Sequence, residues 1–303
     1  MDIRHLRYFV AAAETLHFGR AAEKLGIAPP TLTVQIQEIE RSLSAHLFTR
    51  TRRSVALTPA GEVFLIEARA VLARFAQAES VGRRAGRGEV GRIELGYVGS
   101  AVFAGILQEQ INYFRSAWPG VEVHSRELPM IDVPKALADG TLDIGFVRLP
   151  MALPSGISRH ILVRDEFCVA LPAGHSLAIA ASAVRPLALA GEAFVLPEQD
   201  EGTYEVGRRG RFAPHVVGAP GSLVAVLAQV SLGAGVSVLP SVLATAVRIP
   251  NVVFRPLIGE PITSQVAAIY RTRDPTPAVK NLMQQIKKST PVRLQLSERP
   301  GNN

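Results

Sequence analysis

The chain has 303 residues, 48% of them hydrophobic and 19% charged, which exceeds what one core normally organises; two or three domains are expected, and a single small module or a mostly disordered polymer is excluded. No apolar run reaches the roughly 18 residues needed to cross a bilayer, and the charged stretch Met1 to Arg7 leads into no signal-peptide core, so a cytoplasmic protein is expected. The lone Cys168 excludes an internal disulfide and the usual zinc sites, while a net charge of +7, of which +4 falls in the first 90 residues, favours a polyanionic or acidic partner.

Leu6, Phe9, Val10, Ala13 and Leu16 recur at helical spacing and predict an amphipathic helix over about residues 3–16. A short helix from Arg20 to Leu25 follows, with Ala21, Ala22 and Leu25 inward and Gly26 able to take a positive φ just past its end. Pro29 and Pro30 suit a first helical turn, and Leu32, Ile36, Ile39 and Leu43 then mark the core seam of a third helix. Three short helices with a tight turn at Gly26 and Ile27 describe a helix-turn-helix whose third helix enters a major groove. The stretch from Phe48 to Thr58, where Arg50, Arg52 and Arg53 precede a short alternating run, predicts a wing with a basic tip.

Thr58 as N-cap and Pro59 at the first helical position open a long helix that runs without a breaker to about Val81. Phe64, Ala68, Val71, Leu72, Phe75 and Ala78 line one side of it, a stripe that packs most simply on a second copy of the chain; packing on its own chain is the alternative. Residues 82–91 are rich in Gly and Arg and read as a hinge. From Arg92 onward strands near residues 93–98, 121–126, 142–146, 167–171, 194–197 and 236–240 alternate with helices near 105–117, 133–138 and 223–232. That alternation predicts an α/β domain with parallel strands. A last helix over about 279–287 precedes a polar tail.

Six segments in order, His5–Val10, Arg20–Leu25, Leu47–Arg50, Leu57–Gly61, Gly140–Phe146 and Gly233–Pro240, resemble LysR-type transcriptional regulators, and the likeness runs nearly end to end. Pro29, Pro30 and the strand around Tyr97 are similar to the branch controlling aromatic-compound and muconate catabolism. The resemblance implies an all-α winged helix-turn-helix over 1–58, a dimerisation helix over 59–81, a hinge over 82–91, and an α/β sensor over 92–303. That sensor would have the two-lobed, type 2 periplasmic-binding-protein-like fold, with lobe I at 92–162 and 266–303 and lobe II at 163–265. The implied partners are double-stranded promoter DNA, a small effector in the cleft, further copies of the chain up to a homotetramer, and RNA polymerase. Nucleoid association in a bacterial cytoplasm is implied with them; no metal, cofactor or enzymatic activity is.

Helical geometry puts Pro30, Thr31, Val34, Gln37, Glu38 and Arg41 on the outward face of the third helix, with Thr33 and Gln35 on its flanks. Members of the family commonly carry arginine where Val34 stands, so bidentate guanine reading from this position is lost; Val34 can pack on a thymine methyl and Glu38 can accept from a cytosine amino group. Affinity is therefore expected to lean on phosphate and wing contacts from Arg20, Thr31, Thr33, Arg50, Arg52 and Arg53. A solvated surface pair is the alternative for Arg52 and Arg53, a helix contact for Val34, and a local carboxylate partner for Arg50. The resemblance places effector contacts at Gly99, Ser100 and Ala101, at Pro129 and Met130, and from Pro197 through Gly202 and Thr203. Ser100 at a helix start suits a carboxylate ligand or serves as a plain N-cap, and Arg148 anchors an anion or forms a structural salt bridge. Muconate-binding relatives often have hydroxyls where Gly99 and Met130 stand, so a larger, more apolar or different ligand is expected. Cys168, in mid-strand, reads as a buried hydrophobe rather than a redox sensor.

A dinucleotide enzyme is disfavoured because Gly233-Ala234-Gly235 follows a helix and leads into a strand, the reverse of a Rossmann fingerprint. A solute-binding protein is opposed by the basic N-terminal module. A ligand-independent architectural DNA-binding protein is the remaining alternative.

Overall fold

A computed structural model describes residues 1–51, 54–180 and 182–294. The chain divides into two compact units, Met1–Arg84 and Ala85–Asn303.

The first unit opens with helices α1 (Ile3–Thr15), α2 (Phe18–Leu25) and α3 (Pro29–Leu43), followed by the strand pair β1 (Phe48–Arg50) and β2 (Val55–Leu57) and the long helix α4 (Pro59–Gly86). A reciprocal box caps α1: the Asp2 carboxylate accepts from the backbone N–H groups of Arg4 and His5, and His5 Nδ1 accepts from Asp2 N–H. α2 starts where His17 Nδ1 accepts from Arg20 N–H and stops at Gly26, at φ 67°. α3 has prolines in its first turn, as expected, and ends at Ser44 with φ 50°. Thr58 Oγ1 accepts from Gly61 N–H at 3.0 Å and donates to the His46 carbonyl at 2.7 Å, so it caps α4 and ties it to the loop before β1. Gly61 is needed there, since a Cβ would run into the Leu47 carbonyl.

The core of this unit gathers Leu6, Phe9, Ala12, Ala21, Ala22, Leu32, Ile36, Ile39 and Leu47. Phe9 packs on Phe48 and Phe64 with ring centroids 5.5 and 4.8 Å apart. Two expected seam residues lie outside it: Leu16 and Leu43 are exposed, because α1 turns into left-handed backbone at Leu16 and α3 does so at Ser44, one residue past Leu43. The long helix continues to Gly86 rather than Val81, so the expected hinge over 82–91 is helical in its first half.

The second unit begins β3 (Val90–Tyr97), α5 (Gly99–Val102), α6 (Ile106–Ala117), β4 (Gly120–Glu127), α7 (Asp132–Ala138), β5 (Ile144–Leu149) and the sixteen-residue β6 (Ile157–Pro172). It continues with α8 (Ser176–Ala180), a 3-10 turn (Pro186–Leu189), β7 (Ala193–Pro197), α9 (Glu201–Gly210), β8 (His215–Gly221), α10 (Leu223–Ser231) and β9 (Ser237–Pro240). α11 (Leu243–Ala246), β10 (Val252–Pro256), β11 (Thr263–Arg271), α12 (Pro277–Lys287) and β12 (Val292–Arg293) complete it.

β3 runs parallel to β4 and β5, as expected, but β11 is antiparallel to both β5 and β6, and β9 and β10 are antiparallel to β6. The all-parallel expectation is corrected here: β6 and β11 are long strands that pass from one half of the unit to the other, and a returning strand pairs antiparallel. The expected lobe boundaries, 162/163 and 265/266, fall within these two strands, and their ladder shifts register between Val266 and Ala267. One core, with Leu95, Phe114, Ile144 and Leu282, lies on the lobe I side; Phe194, Val206 and Val238, and separately Val226 and Leu239, fill the lobe II side.

Candidate nucleic-acid interface and ligand cleft

Burial of Leu32, Ile36 and Ile39 turns the opposite face of α3 to solvent, where Pro30, Thr31, Val34, Gln37, Glu38 and Arg41 are all exposed and Thr33 and Gln35 flank them, half-buried. Part of this polarity is internally engaged. Gln35 Nε2 donates to Glu38 Oε2 at 3.0 Å, and Thr33 Oγ1 donates to the Pro29 carbonyl at 3.1 Å. His5 Nε2 lies 3.6 Å from the same Glu38 carboxylate. Val34, half exposed at 50%, presents its methyls where the family commonly has a cation.

Arg20, on α2, is exposed. Among the described residues Arg50 does not take the carboxylate partner that was the alternative for it: its guanidinium stands 4.2 Å over the Phe18 ring, which packs edge-on against Phe48. A cation–π seat of this kind orients the charge while leaving it exposed. Glu40 Oε1 accepts from the N–H groups of Leu47 and Phe48, which fixes β1 to α3 and so fixes the direction of the wing. Arg52 and Arg53, the expected wing tip, lie outside the described residues.

The stripe on α4 is divided. Phe64, Ala68 and Leu72 pack on the helix-turn-helix core of their own chain, the alternative reading for those residues, whereas Val71, Phe75 and Ala78 are exposed, as are Val63 and Ile66, which lie outside the stripe, at 65% and 68%.

In the second unit, a cavity of about 350 Å³ lies between the lobes. Its lobe I wall is the β3–α5 turn (Tyr97, Gly99, Ser100), Val102, Phe103, Glu127 and Met130; its lobe II wall is Pro197, Glu198, Gln199, Pro240 and the β8–α10 turn from Gly221 to Val224. Gly99, Ser100, Met130 and Pro197 are thus brought together as expected. Ala101, Gly202 and Thr203 are not: all three are buried away from the cavity, with Gly202 against the Phe167 ring. Pro129 is exposed just outside the cavity wall. Ser100 is not an N-cap either, since Val98 holds that place in α5.

Arg148 takes the structural salt bridge, one of the two readings open for it. It lies within β5, is wholly buried, and is not part of the cavity lining. Its guanidinium donates to Ser264 Oγ at 2.9 Å and to the Ser100 carbonyl at 3.1 Å, and it pairs with the equally buried Asp165 at 3.4 Å. Asp165 also accepts from Ser241 Oγ at 2.5 Å and from the N–H groups of Glu166 and Val242. Burial pushes the Arg148 guanidinium down to about 10 while Asp165 pulls the other way. This network joins both crossing strands, β6 and β11, to the floor of the cavity. Sequence reasoning missed Tyr97, Glu127 and the β8–α10 turn, while Glu198 falls within the expected stretch from Pro197 to Thr203; β8 carries no clean alternation, with Gly, Ala and Pro filling its second half.

A winged helix-turn-helix joined in one chain to a two-lobed α/β unit with a central cavity defines a ligand-responsive DNA-binding regulator. Residues 3–62 match the bacterial regulatory helix-turn-helix family of lysR type, and residues 86–291 match the LysR substrate binding domain. The chain is 34% identical over 288 residues to the uncharacterized HTH-type transcriptional regulator YnfL of Escherichia coli, covering 93% of this chain and 96% of that one. It is 36% identical over 287 residues to the HTH-type transcriptional regulator XapR of the same organism, with the same coverage of each. The solved structure of full-length CbnR complexed with its target DNA superposes with a TM-score of 0.80 at 24% identity, covering 95% of this chain and 99% of that one, a likeness of fold. The chain belongs to the LysR family of DNA-binding transcriptional regulators.

Proposed function

We propose that this regulator grips promoter DNA through the outward face of α3, with Thr31, Thr33, Gln35, Gln37 and Arg20 contacting phosphates or bases, Val34 packing on a thymine methyl, and Arg50 steadying the wing. The carrying observation is the division of α3 into a buried seam and an exposed polar face. Val63, Ile66 and Val71 on α4 would be covered by a second copy, and paired dimers would give the tetramer. An effector entering the cleft changes the spacing of the two lobes, which alters DNA binding and bending and contact with RNA polymerase. The buried Arg148 network supports this, because it links the cavity floor to both strands that join the lobes.

The test is a mobility-shift series on the DNA upstream of its own gene, with and without Thr31→Ala plus Gln37→Ala. If a dimer neutralises about eight phosphates, log K falls with log salt at a slope near −7. The double variant weakens specific binding while leaving that slope nearly unchanged. A wild-type slope near zero, or equal binding by the variant, refutes the assignment.

A further inference from the structure

We propose that the cleft, read above as the effector site, takes a small molecule that presents N–H or O–H donors and carries no net negative charge, and that it excludes carboxylates. The inference rests on that reading of the cleft and on the charges that line it. Among the described residues, no Lys, Arg or His lines the cavity, whereas Glu127 reaches it from lobe I and Glu198 from lobe II.

The position of Glu127 is informative. Its Oε1 lies 2.5 Å from where a Cβ on residue 99 would stand, so a carboxylate covers the backbone turn that an anionic ligand would need. Glu198 spans the cleft: it accepts from the backbone N–H of Met130, so one lobe's acid already receives a donor from the other lobe. A ligand donor entering beside it would meet the same carboxylate.

The positive features nearby do not offset two carboxylates. Arg148 beneath the floor is matched by Asp165, leaving the pair neutral. The N-terminus of α10 also faces the cavity, but Ser222 Oγ already accepts from Ala225 N–H, and a helix end supplies at most about half a unit charge. The balance around the cavity stays well negative. Tyr97 and Phe103 add aromatic surface, which suits the flat or apolar part of an amine, or of a polyhydroxylated ring compound. Amines and polyols share the chemistry a carboxylate recognises, the donated N–H or O–H, and the probes below separate them.

Full-length protein is tested by thermal shift and calorimetry with matched probes: benzylamine and agmatine, adenosine and phenyl glucoside, benzoate and muconate. The expected result is stabilisation by at least one amine or polyol, no response to the carboxylates, and binding about tenfold weaker in Glu127→Gln or Glu198→Gln, since each carboxylate contributes a charge-assisted bond. Both glutamates are exposed, so the variants fold, which circular dichroism checks. Saturation by amines alone selects a cationic ligand, and by the hydroxylated probes alone a neutral one; both support the proposal. Tighter binding of benzoate than of benzylamine overturns it, as does donor binding unchanged in both variants, or no donor binding up to tens of millimolar. Val224→Trp, which fills the cavity mouth, separates the two levels. Carboxylate binding abolished by it sinks the ligand class and keeps the cleft; probe binding that survives it sinks the cleft reading as well.

Discussion

Replacing Arg148 with methionine tests whether the buried pair holds the two lobes in register. Arg148 and Asp165 side chains are both fully buried, so the substitution leaves a carboxylate without its cation in a place water does not reach. Removing one partner of such a pair costs about 3–5 kcal/mol. The low end is expected, because Asp165 keeps the Ser241 hydroxyl at 2.5 Å and two backbone donors, and because methionine refills most of the arginine's volume. Trp118, the only tryptophan, lies in the second unit and reports on its unfolding. With a urea slope of about 2–3 kcal/mol per molar, a loss near 3 kcal/mol lowers the fluorescence midpoint by about 1–1.5 M. Adding Asp165→Asn to Arg148→Met removes the stranded charge, and most of the loss should return, leaving a deficit of about 1 kcal/mol. A single-variant cost under about 1 kcal/mol, or a double variant as unstable as the sum of the two singles, would refute the argument that this pair is a buried electrostatic unit.

Three further expectations follow from individual groups. Val34→Arg restores a cation to the outward face of α3 and should tighten binding to sites with guanine at the contacted position by about 1–3 kcal/mol, read by selection on randomised operators; no new guanine preference would place Val34 away from the bases. Cys168 is fully buried and its thiol is pushed well above the usual range by burial, so Ellman's reagent should leave it unlabelled in native protein at pH 8 and label one thiol in urea; rapid native labelling contradicts the burial. Glu205 is held down to about 2 by hydrogen bonds from Arg208 and Arg209, below its ordinary 4.5, so its contribution is complete above pH 4.5 and is lost as pH falls from there toward 2. Because the cluster is partly exposed, that loss is about 1 kcal/mol, and Glu205→Gln should flatten the stability profile only within this window.

The first unit was nearly legible from periodicity because its helices are local: the Leu32, Ile36 and Ile39 seam fixes which residues of α3 face outward, and no distant contact changes that answer. The seam failed at Leu16, itself left-handed, and at Leu43, one residue before the left-handed Ser44, a choice no hydrophobic spacing records. In the second unit the strands that join the lobes were the hardest to see. No strand is predicted over Thr263–Arg271, where β11 runs, and its antiparallel direction depends on the chain crossing twice between halves far apart in sequence. Arg148 shows the same limit in one side chain: its charge in the sequence allows an anion site or a salt bridge, and only the partner seventeen residues on, brought beside it by the fold, decides for the second. Glu127 was hidden for the converse reason. It looks like solvated surface in sequence, and it meets Glu198, which lies in the expected stretch after Pro197, only because one stands at the end of β4 and the other just past the end of β7, on opposite walls of one cavity. The cavity is therefore assembled by the meeting of two lobes, whereas the outward face of α3 is set within a single helix, and periodicity speaks directly only to the second.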